Sequence, residues 1–159
     1  SKAHHITSDK PKRLLIAEDT ISVQDLLRRQ LKSLNVEADF VGNGKEAIAA
    51  LKTGQYGILF TDLHMPEMDG YALIETLRAQ EKDGAERTPV VVLTADVQMA
   101  QRQVYLSYGF DECLLKPVSL GHFRRLLIRW GLLSSDANMN ANEPTPQPQA
   151  QDKDAPIDR

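Results

Sequence analysis

Apolar and polar positions along residues 12–133 fall into blocks whose period switches back and forth between strand and helix. Leu14-Leu15-Ile16-Ala17 is an unbroken apolar run and predicts a buried strand. Behind it, Ile21, Val23, Leu27, Leu31 and Leu34 keep the spacing of one helix face. Val36, Ala38 and Phe40 alternate with polar residues, which predicts a half-exposed strand. Ala47, Ile48 and Leu51 mark a second helix, with Asn43 placed to cap it. Ile58-Leu59-Phe60 reads as a third strand, and Leu73, Ile74 and Leu77 as a third helix face. A fourth strand, Val90 to Leu93, follows Pro89, and a helix is expected over residues 97–107. Phe110 to Leu115 predicts the fifth strand. Leu120, Phe123, Leu127 and Trp130 give a fifth helix, ended by Gly131.

Strands alternating with helices in this way imply a parallel sheet covered on both faces. The first, third and fourth strands are apolar throughout and belong in the centre. The second and fifth are flanked or interrupted by Glu37, Asp39, Asp111 and Glu112, and belong at the edges. The flavodoxin-like order 2-1-3-4-5 meets both demands, so the expected fold class is α/β, a (βα)5 three-layer sandwich. Ligands of such sheets bind at the carboxyl ends of the strands, where the strand order reverses.

Charge sharpens the boundaries of this domain. The chain of 159 residues carries 19 Lys and Arg against 22 Asp and Glu, a net charge of −3. The whole excess lies in residues 134–159, where Asp136, Glu143, Asp152, Asp154 and Asp158 face only Lys153 and Arg159. That segment also holds Pro144, Pro146, Pro148 and Pro156 and has no aromatic side chain. It reads as a Pro/Gln-rich acidic linker, since it has too little apolar surface to offset its ordering entropy. Residues 1–11 read as an arm or linker, with His4 and His5 too poorly placed for a metal pair. The domain is expected over residues 12–133; residues 1–133 carry 17 bases and 17 acids, a balance that argues against a nucleic-acid partner. The longest apolar runs fall far short of a membrane span, so no direct membrane contact is expected. Cys113 is the single cysteine, which excludes an internal disulfide and suits a reducing compartment.

Chemistry-bearing residues gather at the predicted strand ends. Glu18 and Asp19 follow the first strand, Asp62 the third, Thr94 and Ala95 the fourth, and Lys116 and Pro117 the fifth. Singly, each is an ordinary cap, turn or surface residue. Together, three carboxylates in one cleft repel one another unless a cation intervenes. Hard oxygen donors of this kind suit Mg²⁺, or Mn²⁺. With the cation bound, Asp62 stays ionised and is available as a nucleophile. Thr94, Lys116 and backbone N–H groups are placed to neutralise the oxygens of a phosphoryl group.

The stretches Leu14-Leu15-Ile16-Ala17-Glu18-Asp19, Thr61-Asp62-Leu63-His64-Met65-Pro66-Glu67-Met68-Asp69-Gly70, Leu93-Thr94-Ala95 and Leu115-Lys116-Pro117 closely resemble receiver domains of two-component response regulators. The resemblance covers residues 12–131. It implies that Asp62 accepts a phosphoryl group from a kinase histidine. It also implies that Glu18 and Asp19 bind Mg²⁺ (or Mn²⁺), with Asp19 as the direct ligand and a backbone carbonyl contributed by His64. The hydroxyl and lysine roles fall on Thr94 and Lys116, with Ala95 beside them, and a cis bond is expected before Pro117.

Three positions depart from the common pattern. Cys113 stands where many members carry a Tyr or Phe that rotates as a switch, and a thiol has no ring to rotate. His64 replaces smaller residues beside the phosphoryl site, and Asp96 lies two positions past Thr94; both are expected to modulate hydrolysis. Met65, Met68, Tyr71 and the start of the first helix around Ile21 are candidate docking residues or simply core.

No DNA-binding domain follows Leu133 in this sequence. The flanks and the Met-Pro-Glu-Met-Asp-Gly-Tyr segment resemble receiver modules of virulence-type hybrid sensor histidine kinases. The implied partners are a histidine kinase transmitter domain and a histidine phosphotransfer domain. The module would be cytoplasmic, with its parent anchored in the inner membrane through other segments. A stand-alone or truncated response regulator is the alternative. A dehalogenase-type phosphatase would need Asp-x-Asp after the first strand. A flavin module would need a phosphate loop where Glu18 and Asp19 stand.

Overall fold

A computed structural model describes residues 13–82, 84 and 86–135; the two flanking segments read above as linkers lie almost wholly outside the described residues. The order of elements is β1 (Arg13–Ala17), α1 (Ile21–Ser33), β2 (Ala38–Val41), α2 (Gly44–Leu51), β3 (Tyr56–Asp62), α3 (Gly70–Glu81), β4 (Val90–Thr94), α4 (Met99–Tyr108), β5 (Glu112–Leu115) and α5 (Leu120–Arg129). The strands form one parallel sheet in the order β2-β1-β3-β4-β5, as the apolar pattern demanded.

Alternation along the central strands divides the core in two. Leu15, Leu59, Val90 and Val92 face α2, α3 and α4, packing with Ile48, Leu73, Ile74 and Tyr105. Leu14, Ile16, Ile58, Phe60 and Val91 face α1 and α5, packing with Leu27, Leu31, Phe123 and Leu127. Phe60 and Phe123 meet edge to face at 5.3 Å between centroids, a favoured aromatic geometry.

Caps fix where the helices begin. The Asn43 side chain accepts Glu46 N–H at 2.8 Å, while the Glu46 carboxylate accepts Gly42 N–H at 2.9 Å, satisfying donors at both sides of the α2 start. Asp69 caps α3 by accepting Ala72 N–H at 2.9 Å, and Ser119 caps α5 by accepting His122 N–H at 3.2 Å.

The fourth helix begins at Met99 and not at Val97, and the third strand extends from Tyr56 to Asp62; two further boundaries differ from the sequence reading for one shared reason. Val36 is not in β2 and Phe110 is not in β5. Each closes the preceding helix across a left-handed residue, Asn35 (φ 59°) and Gly109 (φ 117°). Val36 N–H donates to the Leu31 carbonyl at 3.0 Å, and Phe110 N–H to the Tyr105 carbonyl at 3.2 Å. These are the six-to-one bonds of Schellman caps, which bring an apolar residue back onto the helix.

Candidate functional site

The parallel register brings the strand ends level. Ala17 pairs with Thr61, Asp62 with Leu93, and Thr94 with Leu115. The residues that follow therefore emerge side by side at one edge of the sheet. One carboxylate oxygen from each of Glu18, Asp19 and Asp62 lies within 4.8 Å of the others. Glu18 is fully buried, Asp62 partly buried and Asp19 exposed. Lys116 Nζ stands 3.3 Å from Asp62 Oδ2 and 3.4 Å from Glu18 Oε1.

The surroundings hold these groups in place. Thr20 N–H donates to Glu18 Oε2 at 3.1 Å, and Gln24 donates to the Glu18 carbonyl at 2.5 Å. Leu63 N–H donates to Asp62 Oδ1 at 2.8 Å, and the buried Thr61 hydroxyl donates to the Asp62 carbonyl at 2.8 Å. Gly70 N–H donates to the Leu63 carbonyl at 2.8 Å, which ties the start of α3 to the turn carrying Asp62. On the other flank, Lys116 N–H donates to the Thr94 carbonyl at 2.8 Å, and the Lys116–Pro117 peptide is cis.

Electrostatics follow from this crowding. Burial pushes the Glu18 carboxyl above its ordinary range, against the opposing pull of Thr20 N–H and Lys116. Burial acts to lower Lys116, but the Asp62 and Glu18 carboxylates outweigh it and leave the ammonium more strongly protonated than usual. The three oxygen donors, two of them reachable from solvent, fit a hard divalent cation.

The remaining sequence candidates take distinct places. His64, Ala95 and Asp96 are exposed around the cluster. Asp96 N–H donates to Thr94 Oγ1 at 3.1 Å, and Asp96 Oδ1 accepts Gln98 N–H at 3.1 Å. Cys113 is buried on β5, where desolvation raises its thiol pKa. Met65 is buried, and Met68 and Tyr71 pack against the same core, so these residues serve as structure more than surface. Ile21, by contrast, is 65% exposed at the start of α1.

One residue went unsuspected. The Thr94 hydroxyl lies 2.7 Å from the hydroxyl of Tyr105 on α4, and both residues are buried. Helix α4 has a weak apolar pattern, so nothing in the sequence turned Tyr105 toward Thr94.

Known proteins share this family and fold. The family described as "Response regulator receiver domain" matches residues 14–128. Sensor protein EvgS of Escherichia coli K12 is 36% identical over 115 residues, 72% of this chain and 9% of the sensor's length. The chain thus spans a small part of this curated relative. Among solved structures, the receiver domain of the Saccharomyces cerevisiae response regulator Ssk1, crystallised with the histidine phosphotransfer protein Ypd1, aligns with a TM-score of 0.70. It is 27% identical and covers 79% of this chain and 94% of that one. The receiver domain of sensor histidine kinase PA1611 from Pseudomonas aeruginosa PAO1, with a magnesium ion in its active-site cleft, aligns with a TM-score of 0.66. It is 29% identical and covers 76% of this chain and 98% of that one.

Proposed function

The chain belongs to the response regulator receiver domain family, and from that premise we propose that Asp62 is the phosphoacceptor of a two-component phosphorelay. The observation that carries this reading is the clustering of the Glu18, Asp19 and Asp62 oxygens within 4.8 Å, with Lys116 Nζ 3.3 Å from Asp62.

Glu18, Asp19 and Asp62, with the His64 backbone carbonyl, would hold Mg²⁺ or Mn²⁺. When bound, the cation supplies charge neutralisation for the carboxylates and the phosphoryl oxygens. Asp62 attacks phosphorus with a carboxylate oxygen. A P–O bond forms as the P–N bond to the donor imidazole breaks, and the electron pair stays on the imidazole nitrogen, which takes up a proton. Lys116 stabilises the negative charge on the transferring group, and Thr94 and the Ala95 N–H complete the ring of donors. His64 and Asp96, both exposed, modulate hydrolysis and with it the lifetime of the product.

We also propose that the domain spans residues 12–133, with residues 1–11 and 134–159 as linkers; the described elements run from Arg13 to Arg129. A hybrid sensor histidine kinase is the proposed parent, supported by the EvgS similarity. Partners are then a transmitter domain as donor and a histidine phosphotransfer domain as acceptor, for which exposed Ile21 beside the site offers a contact. Among the described residues no helix is long and apolar enough to cross a membrane, so any anchor of the parent lies in other segments.

The test is treatment with acetyl phosphate and Mg²⁺, read by intact mass. Wild type gains one phosphoryl group and Asp62→Asn gains none. Equal modification of both would overturn the assignment. Transmitter-coding sequence in the parent gene is the expected finding for the hybrid kinase.

A further inference from the structure

The loss of an aromatic side chain at Cys113 leaves open how Thr94 communicates with the rest of the fold. Its hydroxyl has one proton and two lone pairs. Asp96 N–H occupies one lone pair at 3.1 Å, and the Tyr105 hydroxyl takes up a further site at 2.7 Å. Thr94 is 7% exposed and Tyr105 3%, so water competes poorly for this bond. Thr94 also lies one residue beyond the strand pair Asp62–Leu93, on the edge where the phosphoryl group forms. Either hydroxyl can be the donor of this bond; when Thr94 donates, its single proton is engaged with Tyr105 and must leave it to reach a phosphoryl oxygen.

From Tyr105 the contacts run to the surface. Its ring meets Phe110 edge-on at 6.2 Å and 88°, Phe110 meets Tyr71 at 6.4 Å, and Tyr71 lies 4.7 Å from Tyr108. Tyr108 is exposed on α4, as are Val104 and Leu106.

We infer that Tyr105 is a positioning residue for Thr94: an aromatic hydroxyl supplied by α4 holds the threonine in its resting direction and is released when Thr94 turns to a phosphoryl oxygen on Asp62. The change reaches the surface through Phe110, just past the α4 cap, and the Tyr71 and Tyr108 rings on α3 and α4. This rests on the Asp62 reading above.

The test uses beryllofluoride with Mg²⁺ as a phosphoryl mimic, with bound fluoride followed by fluorine NMR. Tyr105→Phe keeps the ring and deletes the competing hydroxyl. It binds the mimic about five-fold more tightly than wild type, the equivalent of one ordinary hydrogen bond. In a Thr94→Val background the same substitution has no effect. Independently of any variant's folding, the Cζ resonance of Tyr105 in tyrosine-labelled wild type shifts when beryllofluoride is added. Unchanged affinity in Tyr105→Phe, tightening that persists without the Thr94 hydroxyl, or a stationary Tyr105 resonance despite bound mimic would each overturn the inference alone. Failure of wild type to bind beryllofluoride would overturn the Asp62 reading and this inference with it.

Discussion

A β-carbon placed on Gly70 would stand 2.5 Å from the carbonyl oxygen of Asp62 and 2.9 Å from Leu63 Cα. The first residue of α3 is therefore pressed against the turn that presents Asp62. Both close atoms are backbone, so the turn itself must move to admit a methyl group. Gly70→Ala should lose about 1–3 kcal/mol of stability through overpacking. It should also slow acetyl phosphate labelling although Asp62 is intact. Urea titration and labelling rates, measured on the same preparation, check both effects.

Lys116 places a positive charge 3.3 Å from Asp62, where the proposed function would bring a divalent cation and a phosphoryl group together. Replacement by Met keeps the stem and deletes the charge. We expect labelling of Asp62 to slow by about a hundredfold, the usual scale for losing one stabilising donor. Mg²⁺ affinity should rise several-fold, because a competing cation 3.3 Å from Asp62 is gone. Calorimetric Mg²⁺ titration beside labelling kinetics separates these opposed effects.

At the far edge of the sheet, Asp39 joins β1, β2 and β3. Arg13 donates to it from Nε at 2.9 Å and Nη2 at 2.8 Å, and the Tyr56 hydroxyl donates at 2.7 Å. The Arg13 hydrogen bond holds the Asp39 carboxyl below its usual 3.8. A depressed carboxyl contributes stability that is present above its unfolded pKa and lost as pH falls through the folded one. Asp39→Asn should thus cost about 0.5 kcal/mol at neutral pH, a small value because the pair is partly exposed. The difference from wild type should shrink as the pH drops below 3.8.

Tyr56 titrates in the opposite sense. Burial, reinforced by Asp39, raises its phenol above 10.0. The associated stability is complete below that pH and is lost as pH rises through the folded value. Tyr56→Phe should therefore differ most from wild type at neutral pH and least in strong alkali. Unfolding curves across the pH range test both substitutions.

Cys113 should be chemically quiet. It is buried and its thiol is pushed up by desolvation, so alkylation requires local opening. Iodoacetamide should modify the native protein on the order of a hundredfold more slowly than the urea-unfolded chain, given an opening equilibrium of ordinary size. Comparable rates, read by mass, would show an accessible thiol.

How far the sequence spoke for itself depended on the range of each interaction. The sheet order followed from which apolar runs were charged at their flanks. The carboxylate cluster followed from the rule that parallel strands end together, which placed Glu18, Asp19, Asp62 and Lys116 without any side-chain geometry. Val36 and Phe110 were misplaced because an apolar residue just past a left-handed cap looks, in one dimension, like the first residue of a strand. Tyr105 was missed altogether. Its contact with Thr94 depends on the rotation of α4 about its axis, and a helix with a diffuse apolar face does not encode that rotation in its periodicity.

The two half-cores impose a division of labour. Thr94, Tyr105 and the aromatic rings beyond belong to the side of the sheet built from α2, α3 and α4, whereas α1 and α5 rest on the other side against Phe60 and Leu14. A rearrangement relayed through Tyr105 would therefore run on the opposite side of the sheet from α1. On the proposed mechanism, a partner seated on α1 would keep the same grip before and after the exchange, and the surface of α4 would be where the two states become distinguishable to anything else that binds.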